Sequence, residues 1–211
     1  MIKKNLKLLI VTTILMLLPM AAGLVLWDQL PAQMPSHWNA AGEVDQYSSK
    51  AFVVFGFPAI MISAQWLCSL GTAADPKKQN HSEKVIHLVL WIIPILSLVL
   101  HTITYATALG VPVRIELVMP VLIGLIFTII GNYLPKCKQS YTIGIKIPWT
   151  LSSEENWNKT HRFAGWLWTV CGIAVILAGF LGIIWILLGI MLLMVFAPII
   201  YSYILYKKEN S

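Results

Sequence analysis

The sequence predicts an all-α integral membrane protein with six transmembrane helices and both termini in the cytoplasm. Of its 211 residues, 58% are hydrophobic and 11% are charged, and the mean hydropathy is +0.76. A folded soluble domain of this size keeps roughly a quarter to a third of its surface in water, so it cannot hide so much apolar surface. The composition therefore excludes a water-soluble enzyme and a disordered chain, and it indicates a lipid bilayer as the solvent.

Six apolar runs approach the roughly 20 residues that a helix needs to cross the hydrocarbon core. Each run must be helical, because backbone groups in lipid find no water to bond. The first run is longer than the core of a signal peptide, so a retained helix is expected. Gly179 and Gly182 predict a tight turn between the last two runs. The six predicted spans are Leu6–Trp27, Phe52–Leu70, Val85–Leu109, Leu117–Leu134, Ala164–Gly182 and Ile183–Tyr206.

The distribution of lysine and arginine predicts the orientation. With the amino terminus inside, thirteen basic residues lie on the cytoplasmic side and two, Lys50 and Arg114, lie outside. This asymmetry follows the positive-inside rule. The net charge of +6 is therefore assigned to topology, and no direct nucleic-acid partner is expected. One membrane domain, residues 1–211, is predicted.

Two long connections carry most of the functional information: the 28–51 segment on the predicted outer side and the 135–163 segment on the predicted inner side. In the 28–51 segment, Asn39 through Gly42 is turn chemistry. His37, Asn39, Glu43 and Asp45 have the donor atoms of a hard-cation or zinc site. The alternative is a structured cap held by turn hydrogen bonds, and no metal is assigned.

The 135–163 segment has about 29 residues, against the two to eight that connect packed helices. Ser152 and Glu155 match a capping box, which predicts a helix that starts near Ser153 and leads into the fifth span. Glu155 and Lys159 have the favourable i,i+4 order. Trp157 and His161 lie one turn apart on the same face, so the segment is expected to fold back on the helical bundle.

The predicted spans contain no acidic or basic residue well away from their ends, which disfavours a proton-coupled transporter. His101 in the third span is the main polar exception. It is a functional candidate by its position, or else a neutral imidazole hydrogen-bonded across helices. Glycines spaced by seven residues predict close helix packing: they are Gly124 and Gly131, and Gly165, Gly172 and Gly179.

The two segments together resemble the SdpI family of bacterial membrane immunity proteins. The stretch from Leu30 to Lys50 is similar to the family pattern Leu-Pro-x-x-x-Pro-x-His-Trp-Asn-x-x-Gly-x-x-Asp-x-Tyr-x-x-Lys. Three further stretches, Gly131–Lys136, Gly144–Leu151 and Trp157–Gly165, are similar to its Gly-Asn-x-x-Pro-Lys, Pro-Trp-Thr-Leu and Trp-x-x-Thr-His-Arg blocks. Lys146 and Ile147 stand where the family usually has Arg-Thr.

The resemblance implies a multi-pass protein of the bacterial cytoplasmic membrane that protects the cell against a secreted peptide toxin. In the type system the protein also signals, by holding a cytoplasmic transcriptional repressor at the membrane. The expected partners are thus the toxin, the lipid bilayer and such a repressor, and no cofactor is expected. Seven residues of the 28–51 segment are expected to recognise the toxin or to maintain the shape of the cap. They are Pro35, His37, Trp38, Asn39, Gly42, Asp45 and Lys50.

A cytoplasmic output block is assigned to the 135–163 segment and the residues just before it. Its members are Asn132, Pro135, Gly144, Lys146, Pro148, Trp149, Thr150, Leu151, Trp157, Thr160, His161 and Arg162. Glu154 and Glu155 with Lys159 leave a membrane protease of the bacteriocin-immunity type as an alternative, although lysine replaces arginine there. A transporter is the other alternative. A non-enzymatic role is favoured, because the sequence contains no metalloprotease or serine-hydrolase motif.

Overall fold

The computed structural model describes residues 2–183 and 185–209. Residues 1, 184, 210 and 211 of the predicted domain lie outside this part. Within the described residues, seven α-helices and one β-hairpin follow one another: α1 Ile2–Val25, β1 Gln33–Trp38, β2 Val44–Ser49, α2 Phe57–Ala73, α3 Glu83–Ala108, α4 Ile115–Tyr133, α5 Pro148–Ser152, α6 Glu154–Leu181 and α7 Trp185–Glu209. A π-helical turn, Phe52–Gly56, leads into α2, and short 3-10 turns occupy Lys78–Asn80 and Leu134–Lys136.

Six of these helices are long and apolar enough to cross a membrane, which confirms the predicted helical fold with six membrane spans. Their bounds differ from the predicted spans by a few residues, except for the fifth. The candidate span Glu154–Leu181 begins ten residues before the predicted Ala164, because α6 extends without a break out of the 135–163 segment. The β-hairpin is an addition that the sequence analysis did not predict.

The chain divides into two compact units. The first comprises residues 1–73 and 87–115, and the second comprises residues 74–86 and 116–211. In the first unit, Leu30 and Met34 from the 28–51 segment share an apolar core with Val53, Val54 and Tyr105. The hairpin is thus anchored on this unit by its first strand.

In the second unit, α4 and α6 approach closely at the predicted glycines. A Cβ atom at Gly124 would lie 2.5 Å from the carbonyl oxygen of Gly172, and one at Gly131 would lie 2.6 Å from the Thr169 amide nitrogen. Such contacts allow no side chain, so the predicted packing role is confirmed for these glycines.

The predicted turn between the last two spans is also present. Gly182 ends α6 with φ +69, and the next amide, that of Ile183, donates to the carbonyl oxygen of Ala178 at 3.0 Å. This is the Schellman ending that a glycine after a helix favours.

Candidate functional site

The tip of the hairpin is built on Asn39. Its side-chain oxygen accepts from the backbone amides of Ala41 (2.9 Å) and Glu43 (3.0 Å). Its own backbone amide donates to the Glu43 carbonyl oxygen at 2.9 Å, and Gly42 adopts φ +80. Asparagine side chains bond nearby backbone groups in this way, and glycine tolerates positive φ. The predicted turn is therefore confirmed, with Asn39 and Gly42 as its structural residues.

The other hairpin residues fall into two groups. His37 and Asp45 face each other across the strands, with Nδ1 of His37 2.5 Å from Oδ1 of Asp45, and both side chains are substantially exposed. Pro35 is buried and Trp38 is half-buried. The Nζ of Lys50 donates to the backbone carbonyl oxygen of Trp27 at 2.7 Å. It also lies 4.9 Å from the centre of the Trp27 ring. Lys50 is thus an anchor at the base of the hairpin.

The donor atoms of the 28–51 segment do not converge on one point. Asn39 Nδ2 donates to Glu43 at 3.2 Å, whereas His37 pairs with Asp45. Across residues 2–183 and 185–209, no three His, Cys, Asp or Glu side chains form a group that could hold a metal ion. The arrangement of these four residues supports the structured cap.

In the 135–163 segment, Trp157 and His161 form a buried stack against Gly144. Their ring centres are 4.0 Å apart and nearly parallel, and both side chains are almost fully buried. The Trp157 indole donates to the Cys137 carbonyl oxygen at 2.7 Å. Gly144 has φ +115. The segment therefore folds back on α6, as predicted.

The two ring nitrogens of His161 have fixed and opposite roles. Nδ1 lies 2.8 Å from the carbonyl oxygen of Trp157, so it must carry a proton. Nε2 accepts from the amide of Ile145 at 2.9 Å, so it must be bare. Only the neutral imidazole satisfies both contacts. His161 is therefore a clamp between α6 and the loop.

Thr150 and Gln139 organise the backbone that precedes α6. The Thr150 hydroxyl donates to the Ile145 carbonyl oxygen at 2.7 Å and accepts from the Ile147 amide at 3.1 Å. The Gln139 amide group donates to the carbonyl oxygens of Thr150 (2.8 Å) and Leu151 (3.0 Å). Both Thr150 and Gln139 are buried, so these bonds fix the loop from within.

A buried carboxylate, Asp75, holds the same loop to the connection between α2 and α3. Its oxygens accept from the Thr142 hydroxyl (2.7 Å) and from the backbone amides of Tyr141 (3.0 Å) and Lys77 (2.7 Å). His81 Nε2 lies 3.3 Å away. Burial opposes ionisation of Asp75, but these hydrogen bonds and the nearby His81 hold its pKa below the usual value.

Asn156 joins the start of α6 to α7. Its side-chain nitrogen donates to the Ser202 carbonyl oxygen at 2.9 Å, and its oxygen accepts from the Ser202 hydroxyl at 2.6 Å. The same oxygen accepts from Thr160 at 3.1 Å. All three residues are buried, so Thr160 of the predicted block belongs to this inter-helix contact.

The remaining block residues lie towards the surface. Trp149 is half-buried against Tyr203, with ring centres 5.0 Å apart, and Leu151 is half-buried as well. Five residues are exposed: Asn132, Pro135, Lys146, Pro148 and Arg162. The structure thus separates a buried, hydrogen-bonded interior from an exposed rim that carries the cations Lys146 and Arg162.

The predicted capping box is wrong by one residue. Ser153, not Ser152, caps α6, since its hydroxyl accepts from the Asn156 amide at 3.1 Å. Ser152 ends α5 instead and donates to the Trp149 carbonyl oxygen at 3.0 Å. Glu155 is exposed and pairs with Lys159 at 2.5 Å, the predicted i,i+4 contact.

His101 is buried in α3. Its Nδ1 lies 2.7 Å from the carbonyl oxygen of Ser97 in the same helix, and the Phe57 ring is stacked on the imidazole, with its centre 4.9 Å away. The hydrogen bond across helices stays a prediction.

Several residues of the network were missed by the sequence analysis. These residues bond to partners that are 46 to 67 positions away in the sequence, or they lie in stretches that match no known functional motif. They are Asp75, His81, Gln139, Asn156 and Ser202. One signal was available for Asp75: Asp-Pro directly after an apolar run is turn chemistry.

Comparisons with known proteins cover both segments. Residues 136–202 match the SdpI/YfhL protein family, and residues 14–62 match a domain of unknown function (DUF1648). No solved structure matches the chain. The chain is 29% identical over 212 positions to the immunity protein SdpI of Bacillus subtilis (strain 168), with 99% of each chain covered. The resemblance to the SdpI family is therefore confirmed along nearly the whole chain.

Proposed function

We propose that this protein is a membrane-embedded immunity protein that gives resistance to a secreted antimicrobial peptide toxin. The observation that carries the proposal is the end-to-end similarity to a protein named for immunity. It is supported by the two ordered segments, because long ordered connections are usually functional. A non-enzymatic mechanism, in which the protein acts by binding, is part of the proposal.

The two segments have different roles in this proposal. The hairpin of the 28–51 segment is an exposed polar surface on an otherwise apolar unit, and it recognises the toxin. Hydrogen bonds connect the 135–163 segment to three other parts of the fold. Asp75 links it to the connection between α2 and α3, His161 links it to α6, and Asn156 links it to α7. It carries the output step, either by docking a cytoplasmic partner such as a transcriptional repressor or by coupling toxin binding to the helices.

The orientation belongs to the same proposal. The thirteen-to-two distribution of basic residues supports cytoplasmic termini in the bacterial cytoplasmic membrane, with the hairpin outside.

We expect a cysteine at position 36 to react with an impermeant maleimide in intact cells, and one at position 138 to react only after permeabilisation. Both native residues, Ser36 and Lys138, are exposed. Cys137 itself is a poor reporter, because burial raises its pKa to about 11 and the protonated thiol reacts slowly on either side. The background should lack native cysteines, because Cys68 is exposed. Labelling of position 138 in intact cells would contradict the orientation.

The function itself is tested by deleting the gene and challenging the cells with peptides secreted by the same strain. We expect sensitivity that the wild-type gene restores. Single substitutions of Lys146, Trp149, Thr150 and His161, and alanine at His37, Asn39 and Asp45 together, then test the two segments, with membrane abundance measured in parallel. Full resistance of the deletion strain to every secreted peptide would refute the immunity function. Full protection by all abundant variants would refute the roles of the segments.

A further inference from the structure

The hairpin has two outer edges, and the first strand closes one of them. β1 contains Pro35, which has no amide hydrogen, and Met34 and Pro35 are buried. The pairing of β1 with β2 is also irregular between Pro35 and Trp38. Proline, bulges and burial all block the addition of a further strand.

The edge of β2 lacks these protections. β2 contains no proline, and most of its residues are exposed. Among residues 2–183 and 185–209, no backbone hydrogen bond from outside the hairpin ladder reaches residues 45–48. The backbone of Tyr47, whose side chain is 58% exposed, lies in the middle of this edge.

The register shows which backbone groups point outwards. The Lys50 amide donates to the Ala32 carbonyl oxygen at 3.0 Å, which makes these two residues a hydrogen-bonded pair. Pairs alternate along an antiparallel ladder. Met34 and Ser48, paired two residues further, are then hydrogen-bonded, whereas Pro35 and Tyr47 are not. The amide and carbonyl of Tyr47 therefore point away from β1.

The charged residues near this edge indicate the charge of the peptide that would bind there. The 28–51 segment carries three exposed carboxylates, those of Asp28, Glu43 and Asp45, in a chain of net charge +6. Its one lysine, Lys50, is directed back onto Trp27. Glu43 directly precedes β2 and Asp45 lies within it, so the start of this strand carries two exposed carboxylates, which a cationic peptide complements.

We propose that the peptide toxin is cationic and docks in extended form on the outer edge of β2, as a third strand centred on Tyr47. Backbone hydrogen bonds supply affinity in this mode, and alternate side chains supply specificity. Its basic side chains then lie beside Glu43 and Asp45. The inference rests on the proposed function and adds the chemistry and the binding mode of the partner.

The test uses the full-length protein in nanodiscs of zwitterionic lipid, which removes the attraction of anionic lipid for a cationic probe. The probe is an octapeptide of alternating lysine and valine, and its dissociation constant is measured by surface plasmon resonance. Two comparison peptides are the same octapeptide N-methylated on alternate residues and a glutamate–valine octapeptide. We expect both to bind at least about tenfold more weakly.

The matched variants are Tyr47→Pro and Tyr47→Ala. Both remove the ring, but only proline removes the outward amide, and an outward position of an edge strand tolerates proline. We expect Y47P to weaken binding about tenfold relative to Y47A, and E43Q/D45N to weaken it by a similar factor. Equal affinity for the methylated and unmethylated peptides, or no binding of the unmethylated one, would overturn the edge mode, even if Y47P proved unstable.

Protection assays separate this inference from the immunity function. If the deletion strain is sensitive and both Tyr47 variants protect it as well as wild type does, the function stands and the edge mode fails. If the deletion strain is resistant to every secreted peptide, the immunity function fails on its own.

Discussion

Gly144→Ala is expected to destabilise the 135–163 segment by about 3 kcal/mol or more and to abolish protection. The residue has φ +115, a conformation that L residues rarely adopt. A Cβ atom there would lie 2.5 Å from Nε2 of His161 and 2.7 Å from the Trp157 ring. Neither ring can retreat, because hydrogen bonds to Ile145 and Cys137 hold them in place.

Gly110→Ala is the matched control for this prediction. Gly110 also has positive φ, +78, but a Cβ atom there meets no atom within 4 Å. It should show the backbone strain alone, roughly 1–2 kcal/mol. Thermal unfolding of both variants in detergent measures the difference, and membrane abundance and protection give the cellular readout. Equal losses for the two variants would show that the contact of Gly144 with the rings is unimportant.

Local chemistry explains which parts of the fold were predictable. The turn at Asn39 and Gly42, the break at Gly182 and the seven-residue glycine spacing each depend on neighbouring residues or on the helical period, so the sequence contains their signals. The sequence did not predict the strands, because β2, Val44–Ser49, lacks the alternation of apolar and polar residues that indicates a strand. Its position follows from the turn and from Met34, which inserts into the core of the first unit.

The candidate site was predictable to a lesser degree. Trp157 and His161 share a helical face, and this spacing was visible. The bonds that give them roles depend on where Ile145 and Cys137 lie after folding, and no local pattern encodes that. The shifted cap at Ser153 has the same origin: two adjacent serines offer equal local chemistry, and the short helix α5 takes Ser152.

Asp75→Asn is expected to lower the stability of the second unit by about 3 kcal/mol at neutral pH. The Asp75 side chain is fully buried, and its oxygens accept from Thr142, Tyr141 and Lys77. An asparagine amide has one oxygen and one NH₂ group, so at least one of these donors loses its acceptor. A buried donor without an acceptor is unfavourable, and His81 also loses its charged neighbour.

The pH dependence gives this variant a distinctive signature. The pKa of Asp75 is lower in the folded protein than its ordinary value of 3.8, so the fold favours the ionised form. The resulting stability is present above the ordinary pKa and is lost as pH falls through the folded pKa. Wild type should therefore lose stability below about pH 4, and D75N should lose less over the same range.

The exposed Asp28 supplies the control, since Asp28→Asn makes the same chemical change without burial. Melting temperatures of the three proteins in detergent, measured from about pH 7 down to about pH 3, separate the outcomes. We expect D28N to follow wild type throughout, and the gap between D75N and wild type to narrow as the pH falls towards the folded pKa of Asp75. A constant gap between D75N and wild type across the whole range would mean that the shape of the side chain, rather than its charge, holds the 135–163 segment in place.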